Sequence, residues 1–186
     1  MLRKNPSGHY PEVSEKAFID PTAIICGNVL IEDNVFVGPY AVIRADEVND
    51  EGNMEPIIIK KDSNIQDGVV IHSKAGAEVI IGARTSIAHR SIIHGPCTVG
   101  DDVFIGFNSV VFDTHIGDLC VIRHNCVVDG LDLPVEFHVP PMTNIGPGFD
   151  LNSIDKVPPE YSSFSESVVS ANHALVAGYK KLNNEL

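Results

Sequence analysis

The sequence predicts a mainly β protein: a parallel β-helix of hexapeptide repeats with one C-terminal α-helix packed on the prism. Three observations carry this. The 186 residues hold 22 valines and 20 isoleucines against 9 leucines. β-Branched side chains are stiff at χ1 and suit a pleated strand, whereas helical proteins favour leucine. These branched residues recur every sixth position, and near residue 141 the pattern gives way to one of period three and four.

Taken in chain order, residues 1–18 read as an N-terminal extension. From there a ruler runs through Ile19, Ile25, Ile31, Val37 and Ile43. It resumes at Ile59, Ile65 and Ile71, again from Ile81 through Ile87, Ile93, Val99 and Ile105 to Val111, and last at Ile116, Ile122 and Val128. Six is not a multiple of the helical 3.6, and a hairpin strand alternates without fixed-length punctuation. A hexad fits a short strand plus a tight corner. Three hexads then close one coil of a triangular prism, with ruler residues inward and coils stacked by parallel pairing about 4.8 Å apart. An ordinary sandwich would show looser turn signals, every ~8–12 residues.

The ruler breaks three times. Ile43 to Ile59 is 16 positions, read as two hexads plus four. Ile71 to Ile81 is 10, one hexad plus four, and Val111 to Ile116 is 5, a one-residue tightening. Insertions in a solenoid map to loops, often on the binding face. The β-helix is assigned to 19–141, a Pro/Gly-rich connector to 142–157 and an amphipathic helix to 158–184, all in one domain. The helix stripe Phe164, Val168, Ala171, Leu175, Tyr179 and Leu182 is expected to face the prism wall. Lys180 and Lys181 stand at the end that favours cations.

Composition excludes some functions. Thirteen cations against 25 anions give a net charge of −12, which argues against nucleic acid as a partner. No apolar run approaches the roughly 20 residues of a membrane span, and no signal peptide is visible, so a cytoplasmic protein is expected. Cys26, Cys97, Cys120 and Cys126 form no CxxC pair and read as core thiols.

Eight histidines are present. His9, His138 and His173 read as satisfied or surface side chains. His115 and His124 read as sharing no phase with each other or with the set that follows. His72 and His94 each follow a ruler residue directly and lie 22 positions apart, one coil plus the four looped out after Ile71. They should stack on one face, near enough to converge on one ion. His89 sits two places after Ile87, beyond a corner, and should not reach that ion within one chain. A neighbouring copy in a closed ring could supply it. Three imidazoles with an open fourth position is the pattern of a catalytic zinc. Asn64, Gln66 and Asp67 lie nearby, with Asp67 in the phase of His89, Gln66 one coil below Ala88, and Arg44 read as one coil below Gln66. A polar ladder on a branched wall suits support of the site or a subunit interface.

The stretches RADE (44–47), NIQDGVVIH (64–72), AHRSIIHG (88–95) and VGDDVFIGFNSVVF (99–112) resemble the γ-class carbonic anhydrases and the related N-terminal domain of a carboxysome scaffolding protein. The likeness runs from IDPTA (19–23) to NHALVAGYK (172–180). It implies a left-handed β-helix, a homotrimer, and metal sites between subunits, with His72 and His94 from one chain and His89 from the next. The metal implied is zinc, with iron or cobalt as options. Glu47 and Gln66 would contact the metal-bound water and bicarbonate, with Asn64 orienting Gln66 and Asn172 near the carbon dioxide pocket. Arg44, Asp46 and Asp67 would form interface ion pairs. Two departures stand out. The loop after the first histidine, SKAGAEVI (73–80), is short and carries only Glu78, while the earlier loop DEVNDEGNMEP (46–56) is long and acidic. Ser170 stands where the best-known active member has a tyrosine.

The function expected is metal-dependent, reversible hydration of carbon dioxide by metal-bound hydroxide. Glu47 would accept the proton, and Glu51, Glu55 or Glu78 would relay it outward. Two alternatives are an assembly protein of the same fold with little activity, and an acyl-CoA-dependent acyltransferase. The latter needs one histidine base rather than three stacked ligands.

Overall fold

A computed structural model describes residues 1–154 and 156–184. Short parallel strands stack into a three-faced prism. On face 1, Leu2, Ile25, Ile43, Ile71, Ile93, Val111, Val128 and Ile145 lie in register, one above the other. On face 2 the sequence is Val13, Ile31, Ile59, Ile81, Val99 and Ile116. Face 3 is a seven-stranded sheet on the rungs of Ile19, Val37, Ile65, Ile87, Ile105, Ile122 and Val139. From Ile25 to Val139 these ruler residues form one buried core along the axis. Each coil turns two residues inward per face, the ruler residue and the one two places before it, such as Ala41 before Ile43 and Val69 before Ile71, and a branched side chain fills the ruler slot without leaving the strand rotamer.

The corners need tight backbone turns. Asn34, Asp62, Arg84 and Asp102 follow face 2, and Tyr40, Arg90, Asn108 and Asn125 follow face 3, all with φ near +55 to +65°. A left-handed residue other than glycine costs about 1–2 kcal/mol. Stacking offsets part of this, since corner side chains bond to the coil above: Asn34 Nδ2 donates to Asp62 Oδ1 at 3.2 Å, and Arg84 Nε to Asp102 Oδ1 at 2.8 Å.

Four expectations change. Leu2–Arg3 pairs with Ile25 and Cys26, and Glu12–Val13 with Leu30 and Ile31. Residues 1–18 therefore include strands of a first, irregular coil rather than only an extension. Val13, six positions before Ile19, continues the ruler and could have been read from it, whereas Leu2, eleven before Val13, falls off the six-residue spacing. At the other end Asn144–Ile145 still pairs with Val127–Val128, beyond residue 141. Third, Ile59 pairs with Ile31, six positions past Ile25, so the 16 positions from Ile43 to Ile59 hold one hexad and a ten-residue excursion, not two hexads and four. The excursion after Ile71 and the tightening at Val111–Ile116 are as expected, the latter opposite a register shift between His94 and Cys97.

Fourth, the helix Pro159–Asn184 lies along face 3 with only part of the expected stripe, Phe164, Val168 and Tyr179, against it. Asn172 and Val176 are buried, with Val168 half-buried, whereas Phe164, Leu175 and Leu182 stay exposed. Val176 packs on Phe18 and Phe36, and Tyr161 and Val168 pack on Ala88, Phe104 and Val121. Tyr179 stacks on Phe18 at 4.6 Å and the Phe164 ring meets Phe104 edge-on at 5.2 Å, so the aromatic members of the stripe do reach the wall while Leu175 and Leu182 face away. Among the described residues no helix is long and apolar enough to cross a membrane.

The four thiols are buried. Burial pushes Cys97 up to about 12 and Cys120 up to about 11, and raises Cys126 as well. Thiolate is the reactive form, so native protein should consume little iodoacetamide at pH 8, and all four thiols should react after unfolding in guanidinium. Rapid labelling of the native protein would contradict this. Replacing an axial ruler residue, Ile93→Ala, should cost about 2–5 kcal/mol in urea unfolding. Leu30→Ala, on an outward position, should stay within ~0.5 kcal/mol of the parent.

Candidate metal centre

Side chains one place after the face 1 ruler point outward in a column: Cys26, Arg44, His72, His94, Phe112 and Asp129. Strand pairing sets His72 directly opposite His94, with ring centroids 5.1 Å apart and planes at 81°. His94 Nδ1 lies 2.9 Å from the Gly95 carbonyl. A carbonyl only accepts, so Nδ1 carries the proton and Nε2 of the neutral ring keeps a free lone pair.

His72 Nε2 is 3.3 Å from Asp46 Oδ1 and 3.5 Å from Glu47 Oε1. Asp46 in turn accepts two 2.7 Å bonds from Arg44 Nη1. Burial, and then the Arg44 charge, hold His72 below the usual histidine range, against the opposite pull of Glu47 and Asp46. A depressed pKa keeps the ring neutral near pH 7, the state in which imidazole binds metal.

His89 lies elsewhere, at the corner after face 3. Its side chain is 46% exposed, with Nδ1 3.7 Å from Asp67 Oδ2 and its ring 5.3 Å from Phe107. Next to that corner, on face 3, Asn64 is fully buried. It donates to Ser86 Oγ at 2.7 Å and accepts from Gln66 Nε2 at 3.0 Å. Asn172, on the helix that covers this face, is also buried and donates to the Val168 carbonyl at 2.8 Å.

The residues singled out in the sequence thus fall into two groups on different parts of one chain. Arg44, Asp46, Glu47, His72 and His94 share face 1, and Asn64, Gln66, Asp67, His89 and Asn172 belong to face 3 or its corner. Among the described residues of one chain, no three His, Cys, Asp or Glu side chains converge to hold a metal. The donor chemistry nonetheless fits one: two aligned imidazoles with a third exposed matches the nitrogen ligands of zinc.

Arg44 is not one coil below Gln66. It pairs with His72, and because Val37 pairs with Ile65, Gly38 lies under Gln66. The cause is the misplaced excursion, which shifts everything below it by one hexad. Glu51, Glu55 and Glu78 are exposed on the two excursions, which touch where Asn49 meets Gly76. Among the described residues no hydrogen bond or ion pair links these three carboxylates to His72. His124 was also misread. It sits two places after Ile122, as His89 does after Ile87, and Ile105 pairs with both Ile87 and Ile122. His124 therefore shares the phase of His89, two coils on, and counting from the ruler could have found it.

Comparison with known proteins places this geometry. The bacterial transferase hexapeptide (six repeats) family matches residues 10–45 and 78–113. A carbonic anhydrase of Methanosarcina thermophila is 34% identical over 95% of this chain and 78% of its own length. A carboxysome assembly protein of Nostoc is 34% identical over 90% of this chain, which spans only 31% of that protein. A hexapeptide transferase family protein of Anaplasma phagocytophilum superposes with a TM-score of 0.79 at 24% identity, covering 96% of this chain and 98% of its own, and shows the shared fold.

Arg44→Gln should raise the His72 pKa in metal-free protein, because a charge that opposes imidazolium is gone. With its folded pKa below the unfolded one, His72 costs stability as pH falls through about 6.5 and under, and the variant should lessen that loss. Proton NMR titration of the His72 ring checks the sign; a downward shift would contradict it.

Proposed function

Because the chain belongs to the γ-class carbonic anhydrase family of hexapeptide-repeat proteins, we propose that it hydrates carbon dioxide reversibly to bicarbonate at metal sites shared between the copies of a homotrimer. One observation carries this reading. His72 and His94 are paired in strand register, and His89 stands exposed on a corner from which its own chain does not bring it to them. Zinc, or iron or cobalt in its place, would be held by His72 and His94 of one copy and His89 of the next. When bound, it supplies the Lewis acidity that makes water a nucleophile near neutral pH.

The chain's own groups do the rest. The His94 Nδ1–Gly95 bond fixes the tautomer, which leaves Nε2 as the nitrogen that would hold the ion. Asn64 takes up the Gln66 amide nitrogen, which leaves Gln66 Oε1 free to accept from the acidic hydroxyl of bicarbonate. Glu47, 48% exposed and 3.5 Å from His72, accepts the proton released on hydration. Arg44 and Asp46 steady His72 from one side, and Asp67 of the adjoining copy approaches Arg44 across the seam. Asn172 borders the carbon dioxide pocket, and Glu51, Glu55 and Glu78 pass the proton to solvent.

Two surfaces support assembly. The outer side of face 1 carries a second column, Ile24, Val42, Val70, Ile92, Val110 and Val127, in which Ile92 is 42% exposed. The helix also leaves Leu175 and Leu182 open. Apolar rows of this length favour burial against another copy. The match to a carboxysome assembly protein favours a second reading, a scaffold that keeps ligands and assembly but turns over little carbon dioxide.

Sedimentation, metal analysis and stopped-flow hydration after zinc or anaerobic iron loading distinguish these. The enzyme reading expects a trimer, one metal per chain and rapid hydration. A metal-loaded trimer without turnover would establish the scaffold, and a metal-free protein with acyl-CoA transfer would establish the acyltransferase alternative. His89→Ala should lose metal and at least ~100-fold in hydration while circular dichroism is unchanged. Glu51→Gln, Glu55→Gln and Glu78→Gln combined should slow turnover several-fold in dilute buffer and recover in concentrated imidazole. Equal rates in both buffers would remove the relay.

A further inference from the structure

The corner that carries His89 is a ladder in its own right. Asp67, His89, Phe107 and His124 occupy the same corner position in successive coils. Backbone bonds pin them there: Arg90 N–H donates to the Asp67 carbonyl at 2.9 Å, Asn108 N–H to that of His89 at 3.1 Å, and Asn125 N–H to that of Phe107 at 2.8 Å. Gly106 makes room at the top, because a Cβ there would stand 2.7 Å from His124 Nδ1. The His124 ring stacks on Phe107 at 4.4 Å and 13°, and Phe107 lies 5.3 Å from His89. The Phe107 backbone N–H donates to His124 Nδ1 at 3.0 Å. Nδ1 is thereby an acceptor, and the ring proton sits on Nε2. Among the described residues no hydrogen bond within the chain engages that Nε2 or the exposed Asp129 carboxylate.

Resting on the shared-site reading above, we propose that His124 of one copy donates through Nε2 to Asp129 of the neighbouring copy, closing the seam above the histidine site. The argument is one of height. Rotation about an axis parallel to the prism leaves every coil at its own level, so the corner of a coil meets face 1 of the same coil in the next copy. His94, Phe112 and Asp129 each follow their corner mates His89, Phe107 and His124 by five positions. A closure that brings His89 level with His94, and one strand spacing from His72, therefore brings Phe107 level with Phe112 and His124 level with Asp129. Each rung matches in kind: ligand with ligand, ring with ring, donor with carboxylate. A slip of one coil sets His124 against Phe112 and Phe107 against His94, and leaves Asp129 covered without a donor. The pair thus selects the register that assembles the histidines, as well as adding a hydrogen bond to a charged acceptor.

Cross-linking tests the pairing directly, since the native thiols are buried. His124→Cys with Asp129→Cys should run as covalent dimers and trimers on a non-reducing gel after mild oxidation. Either single variant, or His124→Cys with Asp102→Cys on the far corner, should not. A protein that assembles and binds metal but gives no cross-link overturns the pairing and leaves the proposed function standing. A metal-free monomer overturns both. Should the cysteine protein fail to assemble, an alanine cycle decides: His124→Ala and Asp129→Ala should each raise the dissociation constant of the assembly about tenfold or more, and the double variant little further. Additive effects would overturn the pair.

Discussion

Strand register is the constraint on which the molecule depends. Each coil bonds to the next through parallel backbone ladders, and a slip of one residue would turn every inward isoleucine to solvent and every outward side chain to the axis. That penalty, repeated from Ile25 to Val139, is paid only once the whole stack is in place, so the position of any outward residue is known as firmly as that of the core. His72 lies opposite His94 because Ile71 lies opposite Ile93. The candidate chemistry is a by-product of core packing.

The same rigidity divides labour around the prism. Face 2 and its corner hold charged ladders such as Arg84–Asp102 that suit solvent. Face 3 is covered by the helix. Face 1 keeps a half-buried to exposed apolar row outside, with His72 set beside Asp46 and Glu47, and the corner before it carries His89 and His124. In one chain His89 and the His72–His94 pair stand on different parts of the prism, and the proposed ring is what would bring them within bonding reach.

Both excursions leave from the corner after face 1, beside the histidine column. This lets acidic residues gather near His72 without disturbing the ladder. Asp46 and Glu47 stand at the root of the first, and Arg44 joins them from the strand itself. Here a solenoid combines a stiff frame with a rim that can carry loops of different length.

Much of this was legible in the residues. Branched side chains at every sixth position specify prism, faces and inward slots by sterics alone, and the stacking of His72 on His94 follows from counting. Counting failed where spacing is not repeated. The division of the 16 positions after Ile43 between coil and excursion left two solutions, and only the pairing of Ile59 with Ile31 chose between them and moved Arg44 beneath His72. Val13 stands six before Ile19 and was open to the same count, whereas Leu2, eleven before Val13, lies off the spacing because its backbone pairing asks nothing of side-chain order. Periodicity marks the helix but not which of its apolar residues meet the aromatic wall of Phe18, Phe36 and Phe104. Local sterics thus determined the repeat, while long-range pairing and shape, which join residues without regard to their spacing, decided what stands beside what.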